Sequence, residues 1–225
     1  MEVLDEVDRV NIHHTRGLRN HWTHARVAGI REPLDVYIED DRHNFLALAV
    51  QARLVKYVRA KLDADPNNAR KGGRPLLDYA LRPHGTAPMN MRYQSRRSDS
   101  IVSVDMVLLL LERGADPNQP VNLNDGKSVW QLFLLSMCAA VMRARTIARL
   151  KHPSVGLMNA WYRSCELLLQ HGARGFSQLV KSDSRRPRDI SLEYLFGSAR
   201  ADALKAILDE REREEQQAKS ACALM

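Results

Sequence analysis

The stretch "LLLLERGADPNQPVNLNDGKSVW", residues 108–130, carries two incompatible readings. Its "GKS" is the tail of a phosphate-binding loop. Its "LLLERGADPN", followed by "DG", is how a helical repeat ends and restarts. A phosphate loop needs G-x-x-x-x-G-K-[ST], because a second glycine lets backbone amides wrap the anion. Five residues before Gly126 stands Val121 instead. The loop follows a helix end and Asn118, not a buried strand, and Asp125-Gly126 is a turn signal. The stretch is therefore read as the end of one helix and the start of the next.

Similar ends occur on either side. "FLALAVQARLVKYVRAKL", residues 45–62, is apolar at helical spacing, so that Leu46, Ala49, Val50, Leu54, Val58 and Leu62 can share a buried side. It runs into "DADPN". "VDMVLLLLERG", residues 104–114, runs into "ADPN", and "WYRSCELLLQHGA", residues 161–173, ends alike without the aspartate. Three helices with one ending are a repeat signal. The restarts also match: "NFLALA" (44–49), "GRPLLDYA" (73–80), "DGKSVWQLF" (125–133) and "DISLEYLF" (189–196) each open a helix. Asn44 and Asp189 suit the N-cap, and Pro75 suits a first turn. In "SVWQ", Ser128 and Gln131 have the spacing of a capping box. Gly114 and Gly172 stand where a left-handed residue ends a helix.

Composition agrees with a helical domain. Of 225 residues, 44% are hydrophobic and only 6% aromatic, with Leu, Ala and Arg abundant. The 11 glycines and 9 prolines cluster between the Leu-rich runs, as punctuation should. No apolar run reaches the roughly 20 residues that span a bilayer, and the acidic "MEVLDEVDRV" is no secretion signal. Three widely spaced cysteines, Cys138, Cys165 and Cys222, make no disulfide framework and imply a reducing, cytoplasmic or nuclear setting.

The openings and the "LLLERGADPN" ending together resemble the ankyrin-repeat family, which opens with T-P-L-H-x-A and places two helices in about 33 residues. The order of "FLALAVQARLVKYVRAKL", "GRPLLDYALRP", "LLERGADPNQ" and "WQLFL" is similar to the C-terminal region of fungal NACHT-type receptor proteins, without their nucleotide-binding domain. Four units are expected, near 43–68, 74–118, 126–174 and 189–210. The intervals from Ala64 to Ala115 and from Ala115 to Ala173 exceed the family period by roughly 18 to 25 residues. Inserts at 82–103 and 134–160 would absorb the excess. The histidine of the family's opening is Asp78 in one unit and Gln131 in another. The resemblance implies protein binding through the tips and first helices. On this chain those positions are Asn67, Asn68, Arg70 and Arg74 at one tip, and Asp116, Asn118, Gln119, Asn122, Asn124 and Lys127 at the next. Trp130 is a hot-spot candidate, although its place in an opening helix favours burial. Leu109, Leu110 and Leu111 belong to the core.

Other chemistry finds little support. His13, His14, His21 and His24 crowd one segment, but no cysteine joins them to complete a metal shell. No G-x-S-x-G elbow or local cysteine signature appears, and Cys138 and Cys165 lie in apolar helical runs that suit packing. Net charge is +7 at a pI of about 9.5, which raises nucleic acid as a partner. The basic clusters at 92–98, 143–152 and 184–188 nevertheless carry a single stacking ring, Tyr93. The ending "SACALM" places Cys222 fourth from the end in a C-a-a-X pattern, and a terminal Met favours farnesyl. A single lipid would give weak, reversible membrane association.

The expectation is an all-α, irregular ankyrin-like helical-repeat solenoid of about four units with long inter-helix inserts. It comprises an N-terminal helical cap (1–42), a repeat domain (43–210) and a charged tail (211–225). It is expected to be a non-catalytic protein-interaction module with no cofactor or metal. A farnesylated membrane-tethered adaptor and a basic nucleic-acid binder are the alternatives.

Overall fold

In a computed structural model, the described residues are 3–6, 45–67, 74–82, 102–121, 126–146, 153–174 and 192–223. They form helices α1 (Phe45–Gln51), α2 (Val55–Ala64), α3 (Leu76–Leu81), α4 (Val104–Glu112), α5 (Val129–Thr146), α6 (Val155–Gln170), α7 (Leu192–Phe196) and α8 (Ser198–Ala223). Among the described residues there is no strand. The described part is all-α.

The apolar run over 45–62 is two helices, not one. Arg53 takes a left-handed backbone, φ 61°, and ends α1. Its N–H donates to the Val50 carbonyl and that of Leu54 to Ala49, the paired bonds of a Schellman ending. The turn lifts Leu54, expected in the core, to 36% exposure, while Leu46, Ala49, Val50, Val58 and Leu62 are buried as the spacing requires.

The helices after Glu112 and Gln170 end alike. Gly114 and Gly172 adopt φ 82° and 93°. Gly114 and Ala115 donate to Leu111 and Leu110, and Gly172 and Ala173 repeat the pattern on Leu169 and Leu168. The first ending differs because Asp63 stands where Gly114 does in the matching sequence, and a left-handed residue with a Cβ is disfavoured. α2 therefore runs on to Ala64 and stops at extended Asp65. Both "DPN" tips then fold the same way. The Asn67 N–H donates to Asp65 Oδ1 at 3.1 Å, and the Asn118 N–H to Asp116 Oδ1 at 2.8 Å.

Helix starts follow local chemistry. Ser128 accepts from the Gln131 N–H at 3.2 Å, and Gln131 Oε1 accepts from the Ser128 N–H at 3.0 Å, the capping box legible in "SVWQ". Ser154 caps α6 through the Leu157 N–H, and Ser103 caps α4 through Met106. Pro75 sits one residue before α3, at its N-cap rather than in its first turn.

The helices pack in two series. α1 contacts α3 and α3 contacts α5; α2 contacts α4, α4 contacts α6, and α6 contacts α8. Cross-contacts join α1 to α2, α3 to α4, and α7 to both α6 and α8. α4 meets α2, α3 and α6, so it buries Met106, Val107, Leu109, Leu110 and Leu111 around most of its circumference. α6 instead buries one stripe: Leu157, Trp161, Ser164, Cys165, Leu168 and Leu169. Ser164 is satisfied within its own helix, donating to the Ala160 carbonyl at 2.8 Å. Part of the 134–160 insert is simply the continuation of α5 to Thr146. Residues 83–101 of the other insert lie outside the described residues. Near the start of the chain, a helical turn at 3–6 sits on α2. Asp5 accepts from the Tyr57 hydroxyl at 2.7 Å and pairs with Lys61 at 2.6 Å. Both contacts hold its carboxyl below the usual aspartate range. α8 carries the apolar-to-charged stretch and most of the tail expected at 211–225 in one continuous helix to Ala223.

Candidate interaction surface

The loop after α4 is built on itself. The Val121 N–H donates to Lys127 and the Val129 N–H to Gln119, and Pro120 bridges Ser128 across a turn at Gly126, φ 69°. The Ser128 N–H, which a phosphate loop would offer to an anion, is here taken by Gln131 Oε1 at 3.0 Å. The turn expected at Asp125-Gly126 is present at Gly126; residues 122–125 lie outside the described residues, and with them Asn122 and Asn124.

A polar line connects successive helix ends. Arg113 pairs with Asp63, Nε donating at 3.0 Å, and so joins the end of α4 to that of α2. Asn118 joins the next pair. Its Nδ2 donates to the Gly172 carbonyl at 2.6 Å and its Oδ1 accepts from the Arg174 N–H at 2.8 Å. One side-chain amide thus satisfies both polar groups of the backbone leaving α6. Arg174 reaches on to Glu215 at 2.8 Å. From α8, Arg211 Nη1 donates to the carbonyls of Leu169 and Gln170, at 3.1 and 2.7 Å, capping α6 from outside with a cation. Gly172 suits this position in two ways. Its backbone is left-handed, and an added Cβ would lie 3.3 Å from the Arg211 guanidinium.

The sequence-predicted partner positions divide accordingly. Asn67 and Asp116 are exposed at the tips. Asn118, Gln119 and Lys127 are half-buried, and Asn118 is occupied by its bridge. Trp130 is fully buried. Arg74 is also interior, its side chain 7% exposed. Its Nε donates to Asp78 at 2.6 Å, and its guanidinium lies 4.1 Å from the Tyr79 ring centroid. Arg82 completes the cluster, Nε and Nη2 donating to the same carboxylate at 2.6 and 2.8 Å. Asp78, at the position of the family's opening histidine, is thus the hub of a buried ion triad. The triad ties the two ends of α3 together, because Arg74 Nη2 also donates to the Arg82 carbonyl at 2.8 Å. Sequence reasoning missed the triad, although arginines at i−4 and i+4 from an aspartate were its signal.

Asn68 and Arg70 lie outside the described residues, as do the histidine segment and the basic clusters at 92–98 and 184–188. The backbone of α8 includes Cys222, whose side chain is outside the described set. Cys165 is fully buried and Cys138 half-buried. Burial pushes both thiols above the ordinary value, which suits packing and not nucleophilic attack. Among the described residues no group of three or more His, Cys, Asp or Glu side chains gathers as metal ligands, and no helix is long and apolar enough to cross a membrane. Compared with protein-family models, curated proteins and solved structures, the chain matches none.

Proposed function

We propose that this chain is a non-catalytic protein-interaction module, built as an irregular ankyrin-like array of four helix pairs. The observation that carries the reading is the line of contacts between helix ends, from Asp63–Arg113 through Asn118 to Arg174 and Arg211. These contacts hold successive tips in fixed relation, which an extended binding surface needs and a small-molecule pocket does not. The ordered contacts of α2, α4, α6 and α8 support it, since stacked units bury a continuous core only with their neighbours. The surface to which the tips contribute contains Asn67 and Asp116, and a macromolecule of matching polar character is its partner. The resemblance to the repeats of fungal NACHT-type receptors is part of the same proposal, with pairing to a larger receptor as its biological form.

The test is capture of partners from cell extract at physiological salt, followed by reconstitution with the purified partner. Saturable binding that weakens in an Asn67→Ala, Asp116→Ala double variant supports the reading. Retention of RNA alone, lost steeply with salt, would favour the nucleic-acid alternative instead.

A further inference from the structure

One surface feature lies outside the line of helix-end contacts, at an edge of the core where Met158, Tyr162 and Phe196 pack against it while partly open to solvent. α6 buries one stripe, and a neighbouring face carries Val155, Met158 and Tyr162, at spacings of three and four residues and so in one row roughly 10 Å long. Val155 is 78% exposed, the largest apolar exposure of that helix, and Met158 and Tyr162 are half-buried. The row continues onto α7, where the Phe196 ring meets Tyr162 edge-on, centroids 5.7 Å apart. Arg200, at the start of α8, is exposed and lies over the Tyr162 ring, Cζ 5.0 Å from its centroid.

The charge of this patch is uneven. Glu166 is engaged by Arg163 at 2.5 Å and accepts from the Tyr162 phenol, whose pKa is raised by burial and then by that carboxylate. Glu193 and Asp202 are both taken by Lys205, at 3.0 and 3.5 Å. Among the described residues no carboxylate pairs with Arg200. An exposed guanidinium over the Tyr162 ring, at the end of a row with Met158 and Val155 and with Phe196 against Tyr162, has the composition of interface centres, where aromatics, Met and Arg are enriched. Stacking on Tyr162 also orders the guanidinium in advance, which lowers the entropy cost of engaging it.

We infer that the Val155–Met158–Tyr162 row with Phe196 and Arg200 is a docking site for an amphipathic segment of another protein. The segment sets an aliphatic or aromatic side chain on the row and a carboxylate on Arg200. The patch is apolar in its length and cationic at one end, and such a segment complements it in both respects. The inference rests on the protein-binding reading above and assigns it a face distinct from the tips.

The experiment is selection of a random peptide library on the full chain, with affinities of the selected peptides then measured on purified variants. Peptides combining Asp or Glu with Leu, Phe or Trp are expected. Their affinity should fall at least about tenfold in Arg200→Glu and in Val155→Asp. Both positions are exposed, and an aspartate at the first residue of α6 favours the helix dipole, so loss of binding there is not loss of fold; an unchanged melting curve verifies this. A selection that yields no acidic-apolar consensus, or peptides whose binding survives both substitutions, overturns the proposal. Surviving binding that instead follows Asn67→Ala would leave the protein-binding reading standing at the tips. Concentration-dependent self-association abolished by Arg200→Glu would give the site to a second copy of the chain and overturn it equally.

Discussion

Asp78→Ala should be among the most destabilising single changes in this protein. The carboxylate is fully buried and accepts three charge-assisted hydrogen bonds, at 2.6, 2.6 and 2.8 Å, from two guanidinium groups. Removing it leaves both cations without their counter-charge. Breaking a buried pair from one side costs about 3–5 kcal/mol. The two arginines do not share that equally. Arg82, with a side-chain exposure of 22%, can turn toward water; Arg74, at 7%, cannot do so without leaving the Tyr79 ring. The cost should therefore fall at the lower end, about 3 kcal/mol, or a melting shift of roughly 6–12 °C for a chain of this size. α3 has only six residues and is marginal by itself, so its two ends should come apart together. Urea unfolding followed by far-UV dichroism and by the fluorescence of buried Trp130 and Trp161 measures the loss. Arg74→Met should cost more than Arg82→Met. The triple variant Asp78→Leu, Arg74→Met, Arg82→Met should recover much of the stability, because an apolar replacement removes the desolvation cost of all three charges together. A loss below about 1 kcal/mol for Asp78→Ala, with an unchanged urea dependence, would refute the view that the triad is a closed, desolvated unit.

Further outcomes follow from the contacts between helix ends and from the core. Asn118→Ala should speed hydrogen exchange at the Arg174 amide and cost about 1–3 kcal/mol, since the backbone leaving α6 loses two partners; unchanged exchange there would show that water replaces the amide. Gly172→Ala should cost about 1–2 kcal/mol in thermal or urea unfolding, because a left-handed alanine is strained and its Cβ crowds Arg211. An Arg211→Ala background should reduce only the crowding part. In a Cys222→Ser background, Cys165 should resist alkylation in the native protein while Cys138 reacts slowly. Because the folded state raises the Cys165 pKa, its contribution to stability is complete below the ordinary thiol value of 9.0 and is lost as pH climbs above it. Labelling of Cys165 at neutral pH without unfolding would contradict that burial.

Much of the local architecture was legible because its causes are local. A capping box acts across three residues, so "SVWQ" announces both bonds of Ser128 and Gln131. A glycine after a leucine run announces the endings at Gly114 and Gly172. The all-helical character and the burial of Leu109, Leu110 and Leu111 follow from composition and spacing. The candidate site was less legible. Asn67 and Asp116 stand exposed as expected, but Asn118 turned inward to a backbone 54 residues away and Arg74 to an aspartate in its own turn.

The reason lies in what each pattern encodes. Hydrophobic spacing tells which side of a helix leaves water, and cap residues tell where the helix stops; both are properties of a few neighbouring residues, so the sequence alone determined them. Whether Asn118 faces a partner or braces Arg174, and whether Arg211 sits in solvent or caps α6, depends on which helix ends lie side by side. A polar side chain pairs with whatever unsatisfied backbone comes within about 3 Å of it. That neighbour is supplied by packing across 41 to 56 residues of chain, and only the tertiary structure decides it.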